Sequence, residues 1–485
     1  MRRLSFLLKD SLVYGVAGAV NRVVKILLVP VVARAFPVEV FGAYDAAGVY
    51  VYVLAVLAVL GLNSSVIIIA TRDVSRADEG RLGETAGVGL RMVAGAALVV
   101  TAIILMAPSL ASRILLGTPQ YGREIAWAVA SAPFSAVLIY ALSVLQWAFR
   151  RTAYVVIALG SAVLTIGLSW FVAFHTGWGL VGLFAANLAG QAVGALAALA
   201  AARDLLRAPW SGGVARQMLA VGLPFAAIAV ASNLIPSLDR LFLVQAHSLA
   251  DAGVYGMGQK IAALAGLILT GFQAAWQPFA FSQRAAEDKP EMFGRVFLLI
   301  CGVAGFLTLA LVCAAPLIAR YAATPAYAGA AIFVGPLALS TGLGAVFFVV
   351  AMGSLFEGKS LHNLVAYGVG VGTTVVLNLI FLAQGAPPIA IAWANCLGQA
   401  AAVACMTVLS QRVHPIPYPL IRGVLVMLAA AAVAVLAGRA VPGWSLGAVA
   451  AAQLALAAAF AAWLLFGVLE PAERARLLAR GSAVS

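Results

Sequence analysis

Long apolar runs alternate with short polar connections along this chain, and the runs fall in one length class. Read in order they give fourteen candidate spans near residues 10–34, 46–70, 88–108, 124–148, 153–174, 180–202, 217–238, 254–281, 294–318, 328–352, 364–383, 388–410, 420–438 and 444–469. A helix needs about 20 consecutive, mostly apolar residues to cross a hydrocarbon core, where every backbone polar group must be satisfied within the segment. The pattern therefore predicts an all-α polytopic membrane protein with about 14 transmembrane helices. The connections are short, so no soluble catalytic domain fits between spans. No cofactor, metal cluster or catalytic constellation is expected.

Composition agrees. Of 485 residues, 64% are hydrophobic and only 10% charged, against about a quarter charged in an ordinary soluble domain. A soluble enzyme, a disordered chain and a single-pass receptor are excluded. The net charge of +13 comes from 30 Lys+Arg against 17 Asp+Glu. These basic residues come in ones and twos between apolar runs, without a basic stripe and interleaved aromatics. The excess therefore reads as topology, and nucleic acid is not an expected partner. Connections on the N-terminal side hold 21 basic residues and the opposite side six, with Arg22, Lys25 and Lys260 inside spans. By the positive-inside rule both termini are expected in the cytoplasm. Asp10 interrupts the first apolar run, so that run is expected to stay uncleaved. Cys301, Cys313, Cys396 and Cys405 lie in apolar stretches and read as small buried hydrophobes.

An internal duplication is legible. Ala-Asn-x-x-Gly-Gln-Ala occurs in the sixth span at 186–192 and in the twelfth at 394–400, 208 residues apart. Gly42-Ala-Tyr44 and Gly253-Val-Tyr255 repeat at an offset of 211. Six spans per copy is an even number, so two parallel six-helix lobes are expected (1–207 and 208–411), followed by two extra helices and a tail (412–485).

The first span carries the most informative side chains. Ser11, Gly15, Gly18, Arg22 and Lys25 share a face, with Asn21 beside them, and Arg22 and Lys25 lie about 18–23 Å from the start of that span at 1.5 Å per residue. Ionisable groups at that depth face a cavity or a partner. In the eighth span Gln259, Gly266, Thr270, Gln273 and Gln277 form a polar stripe next to Lys260, itself able to snorkel outward. The i,i+4 pairs Asn187/Gln191 and Asn395/Gln399 are expected mainly in interhelical hydrogen bonds. All seventeen acidic residues are read as lying in connections or near span ends, the deepest being Asp239 beside Arg240, charge-balanced by a neighbour. The interior is thus expected to be cationic, which favours an anionic substrate headgroup. The four histidines read as unpaired. Gly353-Ser-Leu-Phe-Glu-Gly358-Lys359-Ser360 satisfies the phosphate-loop pattern, but it joins two membrane helices with no strand before it, so nucleotide binding is not expected.

The stretch NRVVKILLVPVVARAFPVEVFGAYD (21–45) resembles the opening signature of polysaccharide flippases. SLDRLFLVQAHSLADAGVYGMGQKIAAL (237–264), with Trp276-Gln-Pro278 beyond it, is similar to the Asp-Arg and Gly-x-Tyr-x-x-x-x-Lys pattern of the same family. The chain resembles the O-antigen/exopolysaccharide (Wzx-type) flippases of the multidrug/oligosaccharidyl-lipid/polysaccharide exporter superfamily. That resemblance implies a protein of the bacterial cytoplasmic (inner) membrane, without enzyme activity. It would move an undecaprenyl-diphosphate-linked oligosaccharide between leaflets by alternating access. It further implies that Arg22, Lys25 and Lys260 hold the diphosphate, that Asn21, Gln259, Gln273 and Gln277 contact the sugars, and that polymerase and chain-length machinery are partners alongside membrane lipids. The rivals are a lipid II flippase, a multidrug cation antiporter and a membrane-embedded sugar polymerase or ligase.

Overall fold

The computed structural model describes residues 27–70, 79–207, 209–282, 289–440 and 445–463. Among these there is no strand, and twelve helices are long and apolar enough to cross a membrane, with a shorter apolar helix at Gly447–Trp463. The protein is a multi-span, all-α membrane protein. Thirteen of the fourteen expected spans thus have a helical counterpart, and most of the remaining one (10–34) lies outside the described residues.

The helices are α1 (Leu28–Ala35), α2 (Val38–Val59), α3 (Leu62–Ala70), α4 (Glu79–Leu105), α5 (Pro108–Leu116), α6 (Gly122–Ala130), α7 (Ala132–Trp147), α8 (Arg151–His175) and α9 (Gly179–Ala201). They continue as α10 (Gly212–Ala246), α11 (Leu249–Ser282), α12 (Lys289–Ala322), α13 (Ala331–Val350), α14 (Met352–Phe356), α15 (Leu361–Ala383), α16 (Ile389–Val413), α17 (Leu420–Ala440) and α18 (Leu446–Trp463). The second expected span starts earlier than its apolar run and is broken in two. Leu60 and Gly61 take left-handed backbone angles (φ 54° and 66°) between α2 and α3.

Contacts divide the chain into two compact units. One comprises residues 1–256, 322–324 and 374–391, the other 257–321, 325–373 and 392–485. In the first unit a core of Ala55, Val59, Leu62, Val66, Leu82, Val93, Tyr140 and Met218 gathers α2, α3, α4, α7 and α10. Its polar anchors are buried: the Tyr140 hydroxyl donates to Ala86 O (3.1 Å) and Ser65 Oγ to Met218 O (2.9 Å). Without water in the bilayer, such hydroxyls end on the carbonyls of a neighbouring helix.

In the second unit α13 is the most enclosed helix, with Phe333, Val334, Leu337, Ala345, Val349 and Val350 buried. The two C-terminal helices are fastened to this unit. Gly335 of α13 lies against Ala434 of α17, and Gln453 of α18 donates to Ala310 O of α12 at 2.7 Å. Their outer faces are apolar and exposed at Ile421, Leu425, Leu428, Leu436 and Leu454, as lipid-facing surfaces are.

Candidate functional site

Three helix ends of the first unit meet at one level. Asp45 lies seven residues into α2, Arg240 six residues before the end of α10, and Tyr255 six residues into α11. At 1.5 Å per residue each is about 9–10 Å inside its helix. Gly42 and Gly253 let α2 and α11 approach. A Cβ on Gly42 would sit 2.8 Å from Gly253 N and closer still to Leu249 O; a Cβ on Gly253 would meet Val38 O and lie 3.2 Å from Gly42 N. The contact is reciprocal: Gly42 faces Leu249, and Gly253 faces Val38, at the same 211-residue offset the sequence repeat displays. Reciprocity of that kind is what a two-fold relation between equivalent segments produces.

Behind this crossing is a buried charge network. Arg240 Nη2 and Nε donate to Asp45 Oδ2 at 2.9 and 3.2 Å, and Nη1 donates to the Pro236 carbonyl at 3.1 Å. The guanidinium lies 5.4 Å over the Tyr255 ring, whose hydroxyl donates to Asp239 Oδ2. Gly256 leaves room for the Asp45 carboxylate, since a Cβ there would lie 2.8 Å from Oδ2. Asp239 and Arg240 are fully buried and Asp45 is 6% exposed. Charges this deep persist only when paired and hydrogen-bonded. The Tyr50 hydroxyl, also buried, completes the wall.

Asp45 is a member of α2 rather than of a connection, and Asp239 lies seven residues before the end of the 35-residue α10, so both are near span ends, as expected of the acidic residues. The neighbour that balances Asp239-Arg240 is thus Asp45, together with Tyr255. The described interior here is two carboxylates to one cation, not purely cationic.

Of the residues expected to bind substrate, Asn21, Arg22 and Lys25 lie outside the described residues. Gln259, Lys260, Gln273 and Gln277 are all on α11 and all half-buried. Because α11 runs unbroken from Leu249 to Ser282, Gln259, Gly266, Thr270, Gln273 and Gln277 fall on one side of one helix, within about 40° of a common line. Lys260 is about 100° round from that line, so it accompanies the stripe without belonging to it. The stripe spans about 27 Å, most of a hydrocarbon core.

The other polar pairs divide. Asn395 accepts from Ser340 of α13 at 2.6 Å, an interhelical bond as expected, whereas Gln191 donates to Asn187 at 3.5 Å within its own helix. The phosphate-loop look-alike is a helix end: Gly358 (φ 66°) follows α14, with Gly358 N donating to Leu355 O and Lys359 N to Ser354 O. Ser354 is buried and bonded to His362 at 2.9 Å. His362 and His414 both have partners, which corrects their reading as unpaired.

The family model described as polysaccharide biosynthesis protein matches residues 7–285. The chain belongs to that family. The match takes in every motif that carries the resemblance, from Asn21 to Trp276-Gln-Pro278, and the charge network just described. No curated protein sequence gives a match. Among solved structures, "Lipid II flippase MurJ, inward closed conformation" superposes with a TM-score of 0.70 over 94% of this chain and 100% of that one, at 11% identity. An inward-facing multidrug resistance MATE family transporter of the MOP superfamily gives 0.62 over 81% and 94%, at 17% identity. The MATE multidrug transporter DinF-BH gives 0.59 over 84% and 95%, at 18% identity. At these identities the likeness is one of fold: this member of the polysaccharide biosynthesis family has the helical fold of flippases and multidrug transporters.

Proposed function

We propose that this protein is a flippase that carries an undecaprenyl-diphosphate-linked oligosaccharide across the cytoplasmic (inner) membrane by alternating access, and that it performs no covalent chemistry. The observation that carries this reading is the conjunction of a polysaccharide-biosynthesis family match with a flippase fold over 94% of the chain. Sugar building blocks on a lipid diphosphate are made on one side of a membrane and used on the other, so a polysaccharide pathway needs such a step. The two six-helix lobes (1–207 and 208–411) would rock about a central cavity, with both termini cytoplasmic.

In this account Arg22 and Lys25, aided by Lys260, hold the diphosphate through charge-assisted hydrogen bonds. Asn21 and the amides of Gln259, Gln273 and Gln277 exchange hydrogen bonds with sugar hydroxyls along α11. The polyprenyl tail stays in lipid. The Asp45–Arg240 network acts as a latch where α2, α10 and the start of α11 meet. Both buried carboxylates are committed, Asp45 to Arg240 and Asp239 to Tyr255, which counts against a multidrug cation as cargo. Lipid II is the second reading, favoured by the MurJ likeness. Polymerase and chain-length proteins would be the partners that consume the product.

The test is ligand-dependent thermal stabilisation of the purified protein in detergent. Undecaprenyl-diphosphate oligosaccharide, lipid II and a lipophilic dye cation would be compared on wild type and on Arg22→Ala/Lys25→Ala. Stabilisation by the diphosphate oligosaccharide, lost in the double variant, is the expected result. Stabilisation by lipid II alone moves the cargo to the second reading, and stabilisation by the cation alone overturns the proposal.

A further inference from the structure

The geometry points to a further sugar-binding subsite, lined by Tyr52 of α2 and Asn233 of α10, for a neutral, hydroxyl-rich part of the cargo headgroup. The opening follows from the fold alone, and its occupant rests on the flippase reading above. Both helices belong to the first compact unit and pack on each other. They run antiparallel and are pinned at two levels. At one, Arg240 late in α10 meets Asp45 early in α2. At the other, Gly61 just past α2 is pressed on the early part of α10, where a Cβ would sit 2.7 Å from Ala226 N and closer still to Gly222 O. Ala226 and Arg240 are 14 residues apart, which puts the pins about 21 Å apart along α10.

Between the pins the same two faces open. Asp45, Tyr52 and Val59 recur every seven residues on α2, as Ala226, Asn233 and Arg240 do on α10. Seven residues make two turns to within about 20°, so each triplet lies nearly on one line of its helix. Both lines are buried at their ends, at Asp45, Val59, Ala226 and Arg240. Their middles are not: Tyr52 is 51% exposed and Asn233 is half-buried. Ala229, one turn from Asn233, is half-buried as well, so the gap is wider than one side chain. A line facing lipid would not close on a neighbouring helix at both ends.

The groups on this gap are uncharged hydrogen-bonders. Asn233 Nδ2 donates to Ala229 O at 2.8 Å. Its second N–H and its Oδ1 have no partner among the described residues, nor has the Tyr52 hydroxyl. Pro236 lies inside α10 and has no N–H for the Ser232 carbonyl, which leaves a backbone acceptor without its helical partner beside Asn233. Polar groups within a span line a cavity or meet a partner. An amide both donates and accepts, as a sugar hydroxyl does, and a phenol offers a flat apolar face with a polar edge. That set suits a sugar ring. It supplies no cation for a diphosphate and no carboxylate for a cationic drug, since Asp45 and Arg240 at the nearer pin are paired with each other. The duplication points the same way: Asn233 stands 20 residues before Gly253, and Asn21, expected to touch sugar, stands 21 before Gly42.

Thiol labelling of the full chain in lipid nanodiscs tests this, with a membrane-impermeant maleimide read above the wild-type background. The control is Leu57→Cys, whose position is 40% exposed and about 140° round α2 from Tyr52. Tyr52→Cys and Asn233→Cys should react about tenfold faster than the control, because a thiol facing lipid does not ionise. Undecaprenyl-diphosphate oligosaccharide should slow labelling at both positions, and undecaprenyl diphosphate without sugar should not. In binding, Asn233→Leu and Tyr52→Leu should each lose about threefold to tenfold in affinity for the oligosaccharide lipid and none for the bare diphosphate lipid. Labelling at 52 and 233 no faster than at 57 overturns the opening. Labelling that the oligosaccharide lipid does not slow, that both lipids slow equally, or that only a lipophilic dye cation slows, overturns the assignment to sugar. The first comparison contains no cargo, so the opening stands or falls apart from the flippase reading, which is judged by cargo-dependent stabilisation of the wild type.

Discussion

Asp45 and Arg240 bring opposite charges into a layer that water does not reach, and each is tolerated only with the other. Removing one partner of a fully buried pair strands the second, at a cost of about 3–5 kcal/mol. Asp45→Ala should therefore lower stability by about 3 kcal/mol or more, and Asp45→Leu/Arg240→Leu should lose less than Asp45→Ala alone, measured by thermal unfolding in detergent. Phe149 supplies a prediction of the opposite sign. It holds a left-handed angle that costs a side-chain residue about 1–2 kcal/mol, and its side chain is more than half exposed. Phe149→Gly, the residue type used at the Gly358 turn, should raise stability by about 0.5–1 kcal/mol. The sequence revealed Asp239-Arg240 as a pair in want of a neighbour but not the neighbour. Asp45 is 195 positions away from Arg240, and its charge made it look like the last residue of a connection when it is the eighth residue of a helix. No local pattern carries a partner at that distance.

At the scale of the helix, α2 and α11 cross where Gly42 and Gly253 face each other, and the close approach is what brings Tyr255 and Gly256 up to the Asp45–Arg240 pair. Gly42→Ala should drive the helices apart and cost about 1–3 kcal/mol, with the Asp45–Arg240 pair strained as a consequence. Gly48→Ala, on the same helix with open space around it, is the control and should be neutral. The period of apolar residues was enough to place these helices, because hydrocarbon thickness sets span length almost irrespective of detail. It did not give the break at Leu60-Gly61, which depends on left-handed angles that apolar residues do not advertise. The polar stripe of α11 was legible for a simpler reason: five polar or small residues at helical spacing stay on one side of any unbroken helix. The phosphate-loop pattern shows the limit of a one-line motif, since a Gly that ends a helix, as Gly358 does, and a Gly that cradles phosphate look alike in it.

For the whole molecule, the family is one of polysaccharide biosynthesis and the fold is that of flippases and multidrug transporters. Among the described residues no group of three or more His, Cys, Asp or Glu is placed to hold a metal ion. On the proposed reading, what distinguishes one cargo from another resides in the basic first span and in the α11 stripe. Gln273→Leu/Gln277→Leu should weaken stabilisation by the oligosaccharide lipid, by about threefold to tenfold in affinity for one or two lost hydrogen bonds, while leaving stabilisation by undecaprenyl diphosphate without sugar unchanged. Arg22→Ala/Lys25→Ala should abolish both. The separation of headgroup from sugar in these two variants is the signature expected of a cavity with a charged and a hydrogen-bonding part.

The most direct measurement is leaflet exchange in proteoliposomes containing the purified protein and a fluorescent undecaprenyl-diphosphate oligosaccharide, read by a membrane-impermeant quencher. The account predicts that the pool protected in the inner leaflet becomes quenchable when wild-type protein is present. It also predicts that this exchange is lost in Arg22→Ala/Lys25→Ala and outpaces exchange of an equally labelled lipid II. A protected pool that persists with wild-type protein active towards a lipophilic cation, or exchange unaffected by the double substitution, would contradict it.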